Sequence, residues 1–158
     1  MSDEVVFILG SEKDEDFIKP ATDFLSDLGI EYDVRIGSAH KTPEKVLEIL
    51  GKYEKEEGVV FITVAGRSNA LSGFVDANTT SPVLACPPYS DTFSGADIFS
   101  SLRMPSGVGP MVVLEPKNAA LAALKILSFR KPTLAEKVES YREELRDNIE
   151  ESDEEISN

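Results

Sequence analysis

No tryptophan, one cysteine and one histidine occur in this chain of 158 residues. The lone cysteine, Cys86, forms no intrachain disulfide, excludes a multi-cysteine metal site and fits a reducing cytoplasm. One His and one Cys are too few for a structural zinc, so no metal is expected. Positive charge is also scarce. The chain carries 16 Lys and Arg against 29 Asp and Glu, a net charge of −13. That balance counts against nucleic acid and anionic membranes as partners. No apolar run reaches the length of a bilayer span, and no basic, apolar leader follows Met1. A cytoplasmic location is therefore expected. Neither a P-loop nor a Gly-x-Gly-x-x-Gly fingerprint is present, so ATP and NAD binding have no motif support. A flavin carrier is disfavoured by the absence of Trp and of a Ser/Thr-rich loop after the first strand. No cofactor is expected.

What is present alternates regularly. The length suits one domain with a sizeable core. Val5-Val6-Phe7-Ile8-Leu9 is a short β-branched run ending at Gly10, which reads as a buried parallel strand. Phe17, Ile18, Ala21, Phe24, Leu25 and Leu28 then recur at helical spacing, with Gly29 as the terminator. Further strands are expected at Tyr32 to Ile36, Val59 to Val64, Pro82 to Ala85 and Met111 to Leu114. Helices are expected from Pro43 to Tyr53 with Thr42 as N-cap, and around Ala70 to Ala77, Asp97 to Leu102 and Asn118 to Leu127. A final helix begins at Pro132, with Leu134, Val138, Tyr141, Leu145 and Ile149 on one face. That stripe suits a neighbouring subunit slightly better than the helix's own sheet. Glu150 to Glu155 form a solvated acidic tail.

This order predicts an α/β fold, a three-layer αβα sandwich around a flavodoxin-like parallel five-stranded sheet, with an extra C-terminal helix. Residues 1–130 are expected to form the α/β domain, and 131–158 the C-terminal helix and acidic tail. Ligands of such sheets bind at the carboxyl ends of the strands. The loops there are the chemically unusual ones. They are Gly10 to Asp14, Ser38 to Lys41, Ala65 to Asn69 and Cys86 to Asp91.

His40 is the one side chain whose ordinary pKa suits proton exchange near neutrality. Ser38 and Lys41 beside it can hold a phosphate. In the first loop Gly10 allows close approach of a ligand, and Ser11 and Lys13 add donors. Asp14 suits either ribose hydroxyls or a helix N-cap. Gly66, Ser68 and Asn69 can hold a small anion or polar heterocycle, whereas Arg67 reads as a solvated, salt-bridged or intersubunit charge. Arg103 and Ser106 can close one side of a pocket or belong to a rigid turn. Nothing supplies a Ser/His/Asp triad or a Lys placed for a Schiff base.

Gly10-Ser11-x-x-Asp14, Ser38-Ala39-His40-Lys41-Thr42-Pro43, Ala65-Gly66-Arg67-Ser68-Asn69, Ser100-Ser101-Leu102-Arg103-Met104-Pro105-Ser106-Gly107 and Asn118-Ala119-Ala120 occur in that order. Over roughly residues 4 to 128 the chain resembles the phosphoribosylaminoimidazole carboxylase catalytic subunit family of purine biosynthesis, PurE. One class of that family, the mutase, moves a carboxyl group within N-carboxyaminoimidazole ribonucleotide. The other adds CO2 directly to aminoimidazole ribonucleotide (AIR) without ATP. Mutases resemble Ala-Gly-Gly-Ala-Ala-His-Leu-Pro-Gly in the third loop. Here Ala65-Gly66-Arg67-Ser68-Asn69 and Cys86-Pro87-Pro88 are similar to the direct carboxylase. The resemblance implies that Ser38 and Lys41 bind the substrate phosphate, that Asp14 holds the ribose and that Ser11 lines the same pocket. Lys13 stands where family members commonly have Ser, and serves as a charged donor. By the same resemblance His40 carries the proton, and Gly66, Ser68 and Asn69 form the CO2 pocket. AIR and CO2 are the implied partners, in a homo-octamer or tetramer whose pockets include residues of adjacent subunits.

Overall fold

The computed structural model describes residues 4–157, so the reading of the first residues as free of a leader lies outside it. Five strands form one sheet: β1 (Glu4–Leu9), β2 (Tyr32–Ile36), β3 (Val59–Val64), β4 (Val83–Ala85) and β5 (Met111–Val112). Their order is β2-β1-β3-β4-β5 and every pairing is parallel, which is the expected flavodoxin-like arrangement. β5 is shorter than the sequence suggests. Pro87 and Pro88 follow β4 almost at once and have no N–H to extend the ladder beyond Cys86.

The period of two along β1 divides the core. Val5, Phe7 and Leu9 face α1 (Glu15–Asp27), α5 (Pro116–Leu127) and the start of α6 (Pro132–Ser157). Val6 and Ile8 face α2 (Pro43–Tyr53) and α3 (Ala70–Asp76). A sixth helix, the single turn α4 (Phe99–Leu102), lies between β4 and β5 in the chain. All six residues of β3 are buried, as a central strand covered on both faces requires.

The helix ends follow local chemistry. α1 closes where Gly29 takes φ +64°. There the Ile30 N–H donates to the Leu25 carbonyl (2.8 Å) and the Gly29 N–H to that of Ser26 (2.9 Å), satisfying the last turn. Thr42 sits at the start of α2 as expected, but its hydroxyl does not cap the helix. Thr42 Oγ1 instead accepts from the Ser38 N–H at 3.0 Å. The capping expectation is corrected accordingly, because the loop claims the hydroxyl first. α5 begins at Pro116, two residues early, with the proline at a position where no N–H is needed. Its alanines Ala119, Ala120 and Ala123 are fully buried and let α5 lie close against α1 and the sheet.

The C-terminal stripe divides in two. Leu134 and Val138 are buried in the chain's own core, and Tyr141 meets Phe24 edge-on at 4.8 Å between ring centroids. Lys117 Nζ lies 4.8 Å from the Tyr141 ring centroid. Lys137 Nζ donates to the Leu28 carbonyl at the end of α1 (2.6 Å), where the helix dipole favours a cation. Burying one such aliphatic side chain is worth roughly 1.5–3 kcal/mol, which suffices to dock this part of α6 on its own sheet. The preference for a neighbouring subunit is therefore corrected for Leu134, Val138 and Tyr141. Leu145 and Ile149 stay exposed. Among the described residues, no helix is long and apolar enough to cross a membrane.

Candidate active site

Parallel strands all end on one edge, and β1 and β3 end side by side at its centre. The Gly10 N–H donates to the Val64 carbonyl (2.8 Å), and the Gly37 N–H to that of Leu9 (2.9 Å). A Cβ on Gly10 would lie 3.4 Å from the Ala65 Cβ, at the edge of ordinary contact, so the first and third loops run close together. On the far side the Cys86 N–H donates to the Thr63 carbonyl (2.8 Å). The four loops named from the sequence thus meet, and they enclose an open cleft of about 900 Å³.

Ser11, Lys13 and Asp14 come from the first loop and Ser38, His40 and Lys41 from the second. Gly66, Arg67 and Ser68 come from the third, and Pro88 to Thr92 from the fourth. Ser11 Oγ accepts from the Lys13 N–H (3.3 Å), shaping a 3-10 turn, Glu12–Asp14, at the start of α1. The second loop is a closed turn. The Thr42 N–H donates to the Ser38 carbonyl (2.8 Å), and the Lys41 N–H to Ser38 Oγ (3.3 Å). His40 is carried on the outside of that turn, exposed, with no hydrogen bond or ion pair among the described residues.

The charge in the cleft opposes that of the chain. Lys13, Lys41 and Arg67 gather there against Asp14 and Asp91, in a protein of net charge −13. None of the three cations forms an ion pair among the described residues. Such a cluster, beside the turn that opens α1, attracts an anion. Asp14 occupies the N-cap position of α1 but makes no side-chain cap bond. Burial pushes its carboxyl above the ordinary 3.8, and a backbone hydrogen bond with Ser11 draws it part of the way back. A half-buried carboxylate with no cap to make is free to accept from a ligand's hydroxyls.

Asn69 departs from its expected place. It is buried and does not line the cleft. Its Nδ2 donates to Ser72 Oγ (2.8 Å) and Ser101 Oγ (2.9 Å), and its Oδ1 accepts from the Ser72 N–H (3.2 Å) as the cap of α3. Arg67 lines the cleft from a left-handed backbone, φ +60°. The sequence reading placed the Cys86 to Asp91 loop at this edge, but it singled out neither Arg67 nor Tyr89, Ser90, Asp91 and Thr92 as residues of the cleft. The signal available for those four was their place directly after β4. Arg103 and Ser106 do not reach the cleft of their own chain. Their segment packs over α3, where a Cβ on Gly73 would come within 3.0 Å of Met104 Sδ.

A second hollow of about 330 Å³, with mainly apolar walls that include Phe17, Ile98 and Leu114, shares Ala65, Gly66, Arg67, Pro88, Tyr89 and Ser90 with the first. Cys86 lies behind it, and its Sγ donates to the Leu114 carbonyl at 3.5 Å. Burial, with Glu115 nearby, pushes the thiol up to about 12, so Cys86 stays protonated and is a packing residue, not a nucleophile.

Comparison with known proteins agrees with this geometry. A family model described as AIR carboxylase matches residues 4–148 and so extends well into α6. A phosphoribosylaminoimidazole carboxylase of Archaeoglobus fulgidus is 60% identical over 97% of this chain and 84% of its own. One from Treponema denticola is 51% identical over 94% of each. An N5-carboxyaminoimidazole ribonucleotide mutase of Methanocaldococcus jannaschii is 37% identical over 96% of each. The crystal structure of Treponema denticola PurE superposes with a TM-score of 0.93 at 49% identity, covering 98% of this chain and 99% of that one. With the fold, the loop order and near full-length identity in agreement, the chain belongs to the AIR carboxylase family.

Proposed function

We propose that this protein carboxylates AIR with CO2, without ATP, to give 4-carboxy-5-aminoimidazole ribonucleotide in purine biosynthesis. One observation carries the reading. The Ser38–Lys41 turn and the Gly66–Ser68 loop face each other across one cleft, in a chain 60% identical to a relative of that name. The substrate phosphate binds Ser38 and Lys41, with Lys13 and Ser11 at its side, and Asp14 accepts from the ribose hydroxyls. That order leaves the aminoimidazole between His40 and the third loop.

The chemistry then needs little more than placement. The ring is an enamine, and its carbon four is nucleophilic. Its electron pair forms the new bond to the CO2 carbon, and one C=O pair moves onto oxygen as a carboxylate. The tetrahedral ring carbon still holds its hydrogen. His40 takes that proton, the C–H pair returns to the ring and aromaticity is restored. Gly66 and Ser68 face the CO2. Proton removal by a positioned base is worth about 10²–10⁴-fold, and holding CO2 against the ring contributes through orientation.

The mutase is the second reading, favoured by the Methanocaldococcus relative. Ala65-Gly66-Arg67-Ser68-Asn69 lacks the second His of the mutase loop, which supports the carboxylase instead. Purified protein without ATP, offered AIR with CO2 and separately the N-carboxy isomer, distinguishes the two. Fast conversion of AIR alone is expected. Preference for the isomer makes the chain a mutase, and conversion of neither leaves a nucleotide-binding module.

A homo-octamer, or a tetramer, in the cytoplasm completes the proposal. Tyr89, Phe93 and Phe99 are 87%, 82% and 69% exposed and lie close together in the chain, with Tyr89 on the cleft wall. Large apolar side chains left so open suit a subunit interface. Light scattering should give a multiple of the 17.3 kDa chain mass, and a monomer contradicts the assembly. Recovery of the native protein from a membrane or secreted fraction contradicts the location.

Two substitutions read the site directly. His40→Asn should retain AIR binding and lose turnover by about 10²-fold or more, and near-native turnover ends the proton-carrier role. Asp14→Asn should weaken AIR binding yet raise the melting temperature at neutral pH. The sign follows from the raised folded pKa. Ionised Asp14 costs stability above that value, and the cost fades as pH falls through it towards 3.8. The variant's advantage should close over that window. A melting temperature equal to native at neutral pH contradicts the burial penalty.

A further inference from the structure

Four polar side chains are buried among the described residues: Thr63, Asn69, Ser72 and Ser101. All four belong to one cluster directly behind the third loop. Beyond the Asn69 bonds described above, Thr63 Oγ1 donates to Ser72 Oγ (2.8 Å). A buried polar group is costly unless fully paired, and a paired network fixes one geometry. Part of the cluster caps α3, through Asn69 Oδ1 and the Ser72 N–H, and the rest fixes what lies in front of it.

What it holds is the turn from Gly66 to Ser68. Ser100, the neighbour of Ser101 on α4, brackets that turn from both ends. Its Oγ accepts from the Asn69 N–H (2.9 Å) and can donate to the Arg67 carbonyl (3.1 Å) or to that of Asp97 (2.8 Å). Inside the bracket Arg67 has φ +60°, and the Ala70 N–H donates to the Ser68 carbonyl (2.9 Å). A left-handed arginine is strained and persists only where its surroundings over-determine it. The hydroxyls of Ser100 and Ser101, more than thirty residues away in sequence, supply that determination.

We propose that Ser100 and Ser101, with Asn69, are positioning residues that clamp the Gly66–Arg67–Ser68 turn and so set the CO2 side of the cleft. The proposal rests on the carboxylase reading for its chemistry and on the hydrogen-bond geometry for its mechanism. Among the described residues the phosphate and ribose loops share no hydrogen bond with the clamp, so loss of the clamp separates the two halves of the site.

The test compares Ser100→Ala with Ser100→Thr, which keeps the hydroxyl, in the full chain. Ser100→Ala should bind AIR as the native protein does, while kcat/KM for CO2 falls about 10- to 100-fold, the scale of a small misplacement. Ser100→Thr should restore most of that loss. Trypsin should cut after Arg67 faster in the Ala variant than in the native or Thr protein, since the released turn can open locally. Unchanged cleavage and unchanged kcat/KM in Ser100→Ala overturn the proposal. So do equal losses in both variants, or a parallel fall in AIR binding. If the native protein itself does not turn over AIR with CO2, the carboxylase reading fails, and the cleavage rates still decide whether the clamp exists.

Discussion

The pairing of β1 with β3 at the centre of an all-parallel sheet is the constraint on which the rest depends. Both strands are buried on both faces, so neither has freedom to slip. Because every strand runs the same way, every strand-to-helix loop opens on the same edge. Because the order reverses at β1, the helices that follow β1 and β3 leave on opposite faces, and a crevice opens between them. Gly10 and Ala65 sit at the floor of that crevice, and their small size lets the two loops approach. The cleft follows from topology before any functional side chain is placed in it.

Charge then gives the cleft its character. The surface of this chain is strongly acidic, and the C-terminal half of α6 adds to that. Free cations gathered at one strand edge create a local field of opposite sign, which a phosphate senses against the acidic background. The same arrangement fits the division of labour proposed for the site. The β1 and β2 loops carry the charged and hydroxyl groups suited to a phosphoribosyl unit. The β3 loop is small, and a buried polar network lies behind it, which suits the proposed holding of a small reactant in one orientation.

Much of this was legible in the sequence. The hydrophobic runs placed β3 to the residue and β1 to within one, because buried parallel strands demand continuous apolar stretches, while the half-buried β2, with Asp33 and Arg35 in it, was placed by its position in the alternation. The loops stood out because Gly and polar residues interrupt those stretches at the carboxyl ends. Less legible were choices among partners of equal local merit. The Thr42 hydroxyl suited a helix cap and a loop closure alike, and tertiary geometry chose the loop. Asn69 suited a ligand or a cap, and Ser101, distant in sequence, drew it inward. The stripe on α6 is continuous in sequence, yet only its first half is buried in this chain, and Leu145 and Ile149 stay exposed. Tyr89 to Thr92 offered no periodicity at all, only position.

A crystal structure of the protein with AIR bound tests the central claim most directly, that one cleft at the β1–β3 edge places nucleotide and proton carrier together. The account predicts the phosphate on Ser38 and Lys41, the ribose at Asp14, and ring carbon four within reach of His40 with Gly66 and Ser68 opposite. A nucleotide bound elsewhere, or one reversed so that His40 meets the phosphate, would contradict it.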